Sequence, residues 1–195
     1  GVGSAGALQT TGASGSTTLS GSVTLNGNTT VGTGAGTTLN ISGAIAEESG
    51  FDHNLLKTGA GTLVLSGVNS YNGTTTVSAG TLRLDANAPV SSDGALGAAS
   101  SAIQLGDTAS GSSAIALLAG PSTLSIARDI SVNNFGSGTT LGGVNTSGTT
   151  TFSGSVTLSK DVSLTAASGG ATVFSGAITG AGGLTKTDGG TVTLS

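Results

Sequence analysis

Short stretches of the chain alternate apolar and polar residues with a period of two. Leu19, Gly21, Val23 and Leu25 interleave with Thr18, Ser20, Ser22 and Thr24; Leu39, Ile41, Gly43 and Ile45 interleave with Thr38, Asn40, Ser42 and Ala44. The same beat returns at Leu63 and Leu65, at Thr75, Val77 and Ala79, and at Leu82 and Leu84. It continues through Ile103 and Leu105, Ile115 and Leu117, Leu124 and Ile126, and Ile130 and Val132. Period two marks strands with one buried face. Asn26-Gly27, Asn72-Gly73, Asp93-Gly94 and Asp188-Gly189 are turn signals. No stretch keeps a helical period over three turns, so the pattern predicts an all-β chain.

Many short strands suit a sandwich, a barrel or a solenoid, and internal repetition decides among them. Gly21-Ser22-Val23-Thr24-Leu25 recurs as Gly154-Ser155-Val156-Thr157-Leu158, and Ser42-Gly43-Ala44-Ile45 recurs as Ser175-Gly176-Ala177-Ile178, both at a shift of 133 positions. Lys57-Thr58, Gly61-Thr62 and Leu65-Ser66 then match Lys186-Thr187, Gly190-Thr191 and Leu194-Ser195 at a shift of 129. The first copy therefore carries four extra residues between Ile45 and Lys57. Substitutions keep the inward positions apolar: Leu19 becomes Phe152, Ile41 becomes Phe174 and Leu63 becomes Val192. Residues 15–66 match 148–195, and 1–195 reads as one continuous segment. A closed sandwich has no natural way to stop partway through a second copy, whereas a solenoid needs only neighbouring coils. At roughly 20 to 25 residues per coil the chain makes about eight or nine coils. With strands about 4.8 Å apart that is a rod on the order of 40 Å long.

Composition narrows the function. Only 7% of residues are charged and the net charge is −4, so nucleic acid finds no basic surface. Apolar runs are too short to insert in a membrane. No signal peptide is present and the chain starts at Gly1, which reads as a mature piece or an excised fragment. Cysteine is absent, which removes disulfides and thiolate metal sites.

One segment is distinctive beyond its period. It runs Leu56-Lys57-Thr58-Gly59-Ala60-Gly61-Thr62-Leu63-Val64-Leu65-Ser66-Gly67, through the turn Asn69-Ser70-Tyr71-Asn72-Gly73-Thr74-Thr75, to Gly80-Thr81-Leu82. This resembles the autotransporter-associated β-strand repeat, also called the passenger-associated transport repeat. The family pattern is K-x-G-x-G-T-L-x-L-S-G, then N-x-Y-x-G-x-T, then a strand ending G-x-L. Leu184 to Ser195 resembles the same repeat cut short, with Asp188 where the first copy has Gly59. The resemblance implies a right-handed parallel β-helix in the passenger of a type V secreted protein or in a giant bacterial surface protein. Such repeats are thought to assist passenger export and to act as a stiff stalk. The implied structural residues are Lys57, Gly59, Gly61, Thr62, Leu63, Leu65, Gly67, Asn69, Tyr71, Gly73, Thr75, Gly80 and Leu82. The implied location is the extracellular space or the bacterial cell surface.

Candidate chemistry is sparse. Glu47, Glu48, Asp52 and His53 form the densest polar cluster, and such a set can do acid/base work or hold a metal. All four are missing from the second copy, where the matching stretch is shorter, as expected of a surface loop between coils. Arg128-Asp129 and Lys160-Asp161 read as exposed pairs, and Tyr71 as a structural turn residue. The expected role is a non-enzymatic stalk or scaffold with no cofactor. Its partners are neighbouring repeats or laterally associated copies. The alternatives are a face that binds host or surface glycans or another partner, an ice-binding face built from Thr74–Thr76 and Thr149–Thr151, and a carbohydrate-active or hydrolytic enzyme.

Overall fold

In a computed structural model the chain winds into eight coils, each laying strands on the faces of a three-sided prism. The structure describes residues 7–121 and 123–195; residues 1–6 and 122 of the expected continuous segment lie outside the described residues. The first coil holds β1 (Leu8–Thr10), β2 (Gly15–Leu19) and β3 (Val23–Leu25), and the second β4 (Thr29–Thr33), β5 (Thr37–Ile41) and β6 (Ile45–Glu47). The third holds β7 (Leu55–Thr58) and β8 (Thr62–Leu65), and the fourth β9 (Thr75–Val77) and β10 (Gly80–Leu84). Then come β11 (Ile103–Leu105), β12 (Ala114–Ala119) and β13 (Ser125–Ile126), followed by β14 (Ile130–Val132), β15 (Gly138–Gly143) and β16 (Thr149–Phe152). The last two coils hold β17 (Val156–Leu158), β18 (Val162–Ala166) and β19 (Ala171–Phe174), then β20 (Ile178–Gly180), β21 (Leu184–Thr187) and β22 (Thr191–Leu194).

Two faces are uninterrupted eight-stranded parallel sheets, one running from β1 to β20 and the other from β2 to β21. The third face has a two-stranded piece, β3-β6, and a four-stranded piece, β13-β16-β19-β22. Irregular backbone joins them: Ser70 N–H donates to Ile45 C=O, Asn69 bridges Gly94, and Ala88 bridges Ile126. No helix occurs among the described residues. The fold is a parallel β-helix, and crossovers between parallel strands are right-handed almost without exception. Coil length is less regular than the sequence period suggests. Leu82 pairs with Leu63 on one side and with Leu117 on the other, so coil length runs from 19 to 35 residues.

Parallel register stacks like on like. On the second face Leu39, Leu63, Leu82, Leu117, Leu141 and Leu164 form one inward ladder through six coils, all buried. On the third face Ile126, Phe152 and Phe174 stack, and the two rings lie 4.8 Å apart. Corners close because the backbone comes very near itself. A Cβ on Gly43 would sit 2.1 Å from Gly21 C=O, and one on Gly154 would sit 2.2 Å from Arg128 C=O.

The internal repeat maps onto the prism with a twist of one face. β2, on the second face of the first coil, matches β16, on the third face of the sixth. β3 and β6, on the third face, match β17 and β20, on the first. β4 and β7, on the first face, match β18 and β21, on the second; β5 and β8 match β19 and β22. Every matched pair is displaced by five coils plus one face. The same sequence thus serves all three faces, because each asks only for period two and a glycine corner.

The eighth coil shows what stacking contributes. Leu55 and Leu65 are fully buried, whereas their counterparts Leu184 and Leu194 are 38% and 53% exposed. A chain extended after Ser195 by a copy of residues 67–84 covers both leucines and is more stable by about 3 kcal/mol. A scrambled extension gives no gain. Chemical unfolding of the two chains checks this.

Candidate functional site

The motif residues hold three coils together from inside. Lys57 takes an inward position on β7, between Val31 and Val77. Its Nζ donates to Thr58 C=O (2.9 Å), Gly59 C=O (2.7 Å) and Ala79 C=O (2.8 Å), so the corner is clamped to the coil above. Burial pulls the amine down to about 7 from its ordinary 10.5. Gly59 adopts φ +76°, and its missing side chain leaves room for Thr33 C=O. Asp188 replaces it in the second copy and takes φ +61°. Asp tolerates this left-handed region better than most residues, and here its carboxylate accepts from the Thr165 hydroxyl. Lys186, exposed at the end of the stack, repeats only the bond to its own corner, with Nζ to Asp188 C=O at 2.7 Å.

Asn69 is buried on the third face and spans three coils. Its Oδ1 accepts from Ile45 N–H at 2.8 Å and its Nδ2 donates to Ala95 C=O at 2.7 Å. Tyr71 is fully buried with its hydroxyl 2.8 Å from Thr75 Oγ1; burial pushes its pKa up to about 12. Gly61, Gly67, Gly73 and Gly80 each leave space for a neighbouring carbonyl, Gly73 that of His53. Leu63, Leu65 and Leu82 are core, and Thr62 is half-buried on β8.

The four residues of the polar cluster do not converge. Glu47 Oε2 accepts from His53 N–H at 2.7 Å, and Oε1 from Asn72 N–H and Nδ2 at 2.7 and 2.8 Å. It therefore anchors the loop at 48–54 to the Asn72 turn. Glu48 and Asp52 are exposed. Among the described residues no three His, Cys, Asp or Glu side chains come together as a metal site would need. The Thr clusters also lie apart: Thr75 and Thr150 point inward and are buried, and their neighbours face outward on the first and third faces respectively.

Arg128 overturns its expected exposure. It is completely buried, with Nη1 donating to Leu96 C=O (3.1 Å) and both Nε and Nη2 to Ser101 C=O. Burial lowers its pKa, opposed by Tyr71 and Asp129. It staples the long 85–102 excursion to the core. Neither expected pair forms an ion pair: Asp129 caps Ser155, Asp161 caps Gly183, and Lys160 donates to Phe135 and Gly136 carbonyls. The one ion pair among the described residues is Arg83–Asp85 at 2.8 Å.

A groove of about 630 Å³ runs along the outside of the first face. Its floor is Thr30, Leu56, Thr76 and Gln104, one residue per coil from β4 to β11. One rim carries Asn28 and Asn54. Asn28 Oδ1 accepts from Asn54 N–H, and Asn54 Oδ1 from Thr74 N–H. This fixes both amides and leaves their Nδ2 groups with no acceptor among the described residues. The other rim is made by the two longest turns between first and second faces, 106–113 and 133–137, where others are as short as 59–61 or 78–79. It brings Asp107, Asn133 and the 41% exposed ring of Phe135 to the groove. Asp107 is already used: Ser78 and Ser110 hydroxyls and Ala109 N–H donate to its carboxylate. Residues from five coils meet here, so no local motif announces the groove; the signal in the sequence was turn length alone.

Residues 55–84 match the family model described as the passenger-associated-transport-repeat, so the repeat read from Leu56 to Leu82 is present. No curated protein and no solved structure matches the chain.

Two outcomes follow for the motif. Asn69→Ala leaves Ile45 N–H and Ala95 C=O buried without their partner, and costs about 2–4 kcal/mol. Amide exchange at Ile45 accelerates accordingly. Lys57 has a folded pKa below its unfolded 10.5, so the unfolded chain binds the extra proton between them and stability rises with pH above about 7. The slope is at most about 1.4 kcal/mol per pH unit. Above pH 10 it is opposed by Tyr71, whose raised folded pKa withdraws stability as pH climbs. Urea midpoints between pH 7 and 9.5 rise for the wild type and lose that slope in Lys57→Met.

Proposed function

We propose that this chain is a structural stalk segment of a secreted or surface-displayed bacterial protein, and that its coil-by-coil folding assists export of the passenger. The observation that carries the reading is the passenger-associated-transport-repeat at 55–84, built into the middle of an unbroken stack of coils. A solenoid is stabilised by nearest-neighbour contacts, so it can fold progressively as it emerges. The absence of cysteine suits a chain that crosses a membrane unfolded. The low charge and Ser/Thr-rich exterior suit packing beside other copies, and the ends of the stack suit further repeats as partners.

Among the described residues, the large buried polar side chains are engaged in holding the fold rather than poised to react. Lys57, Asn69, Tyr71 and Arg128 all spend their polar atoms on holding coils together. Glu47 spends its carboxylate on the backbone of two turns. These assignments support a mechanical role rather than an enzymatic one.

The test places the segment between a signal sequence and an outer-membrane barrel, with a reporter at its far end. Gly73→Ala drives a methyl into His53 C=O, which lies 2.1 Å from the new atom, and breaks the stacking of the third and fourth coils. Antibody labelling of intact cells is expected to fall severalfold for Gly73→Ala at unchanged expression. Equal display of the two chains rejects a role for folding of this segment in export.

A further inference from the structure

The groove on the first face has no part in the stalk reading, and its construction points to a ligand. Coil closure does not need its walls. The loop at 48–54, which ends in Asn54, corresponds to 181–183 in the second copy, and the coil closes there with four fewer residues. Turns 106–113 and 133–137 are likewise longer than the corner requires. These additions carry exposed aromatics: Phe51 is 51% exposed and stacks on His53 at 5.3 Å, and Phe135 faces the groove from the opposite rim. Exposed rings on dispensable loops are poor economy for a spacer.

The chemistry selects the ligand. No Lys or Arg lines the groove, and the chain carries net negative charge, so an anion is not attracted. The single carboxylate, Asp107, is saturated by its own turn, so a cation finds no free partner. What remains is neutral: two fixed amide donors on Asn28 and Asn54, the Thr30 and Thr76 hydroxyls, the apolar side chain of Leu56 and the ring of Phe135. Pyranose rings present this complement, with hydroxyls around an edge and C–H groups on a face. The strands under the groove are paired on both sides, so an extended peptide has no sheet edge to join there. The floor of the groove crosses four strands, about 14 Å along the axis, and its volume is that of an ordinary ligand cleft. We infer that the first face binds a neutral oligosaccharide lying along the axis, with Phe135 stacking on one ring and Asn28 and Asn54 donating to its hydroxyls.

Calorimetric titration of the full chain with cellohexaose, laminarihexaose, maltohexaose and chitohexaose tests this, with polygalacturonate as the acidic comparison. At least one neutral hexamer is expected to bind. Phe135→Ala is expected to weaken it about tenfold. Asn54→Asp keeps an oxygen that accepts from Thr74 N–H and puts a carboxylate oxygen in place of the outward donor, so it weakens binding while the unfolding midpoint stays put. Thr140→Ala, on the second face, leaves binding unchanged. The inference is overturned if no neutral hexamer binds, if Phe135→Ala and Asn54→Asp both bind as wild type, or if polygalacturonate binds more tightly than every neutral hexamer.

Discussion

The constraint on which everything else depends is parallel, in-register hydrogen bonding from coil to coil. Each strand satisfies its backbone through the coils above and below it. Register therefore cannot drift without turning every side chain to the wrong face. Like positions are forced to stack: leucine on leucine along the second face, phenylalanine on phenylalanine along the third, glycine against glycine at the corners. A polar side chain that enters the interior must find its partners within the stack. Lys57, Asn69 and Arg128 do so by reaching carbonyls of an adjacent coil or excursion, which turns a burial penalty into a cross-link.

The same constraint explains how a duplicated sequence fits one face further round. A face asks for alternate inward apolar residues and a corner that admits close backbone approach. It asks nothing about which of the three directions it points in. Val31 on the first face and Leu164 on the second meet identical demands. Even the Gly59 to Asp188 exchange is accommodated, since Asp can take the left-handed conformation and finds a hydroxyl for its carboxylate. Sequence similarity in such a chain therefore reports a strand's place in the unit, not its orientation in space.

That distinction marks what was legible beforehand. The strands, the solenoid and the coil number follow from period two and from the repeat, because those depend on local order. The burial of Phe152 and Phe174 followed from their replacing Leu19 and Ile41. Arg128 was misread because charge beside charge suggests solvent, while its burial depends on the 85–102 excursion folding back over it. The groove was invisible for a similar reason. Asn28 and Phe135 lie more than a hundred positions apart and meet on one face only through stacking. The displacement of the repeat by one face likewise needs the coil boundaries, which the sequence period blurs because coil length varies.

Duplication also separates what the fold requires from what it merely permits. Where the copies agree, as at the inward ladders, a side chain is held by the coil next to it. Where they differ in length, the coil closes either way, and the extra residues answer to something other than closure. The 48–54 loop falls in this second class and carries the exposed ring of Phe51, and the long 133–137 turn, outside both copies, carries that of Phe135. A stack whose interior is committed entirely to cohesion leaves recognition to such additions. Any specificity this rod possesses must then be written in its turns, and the coils supply only the spacing at which those turns are presented.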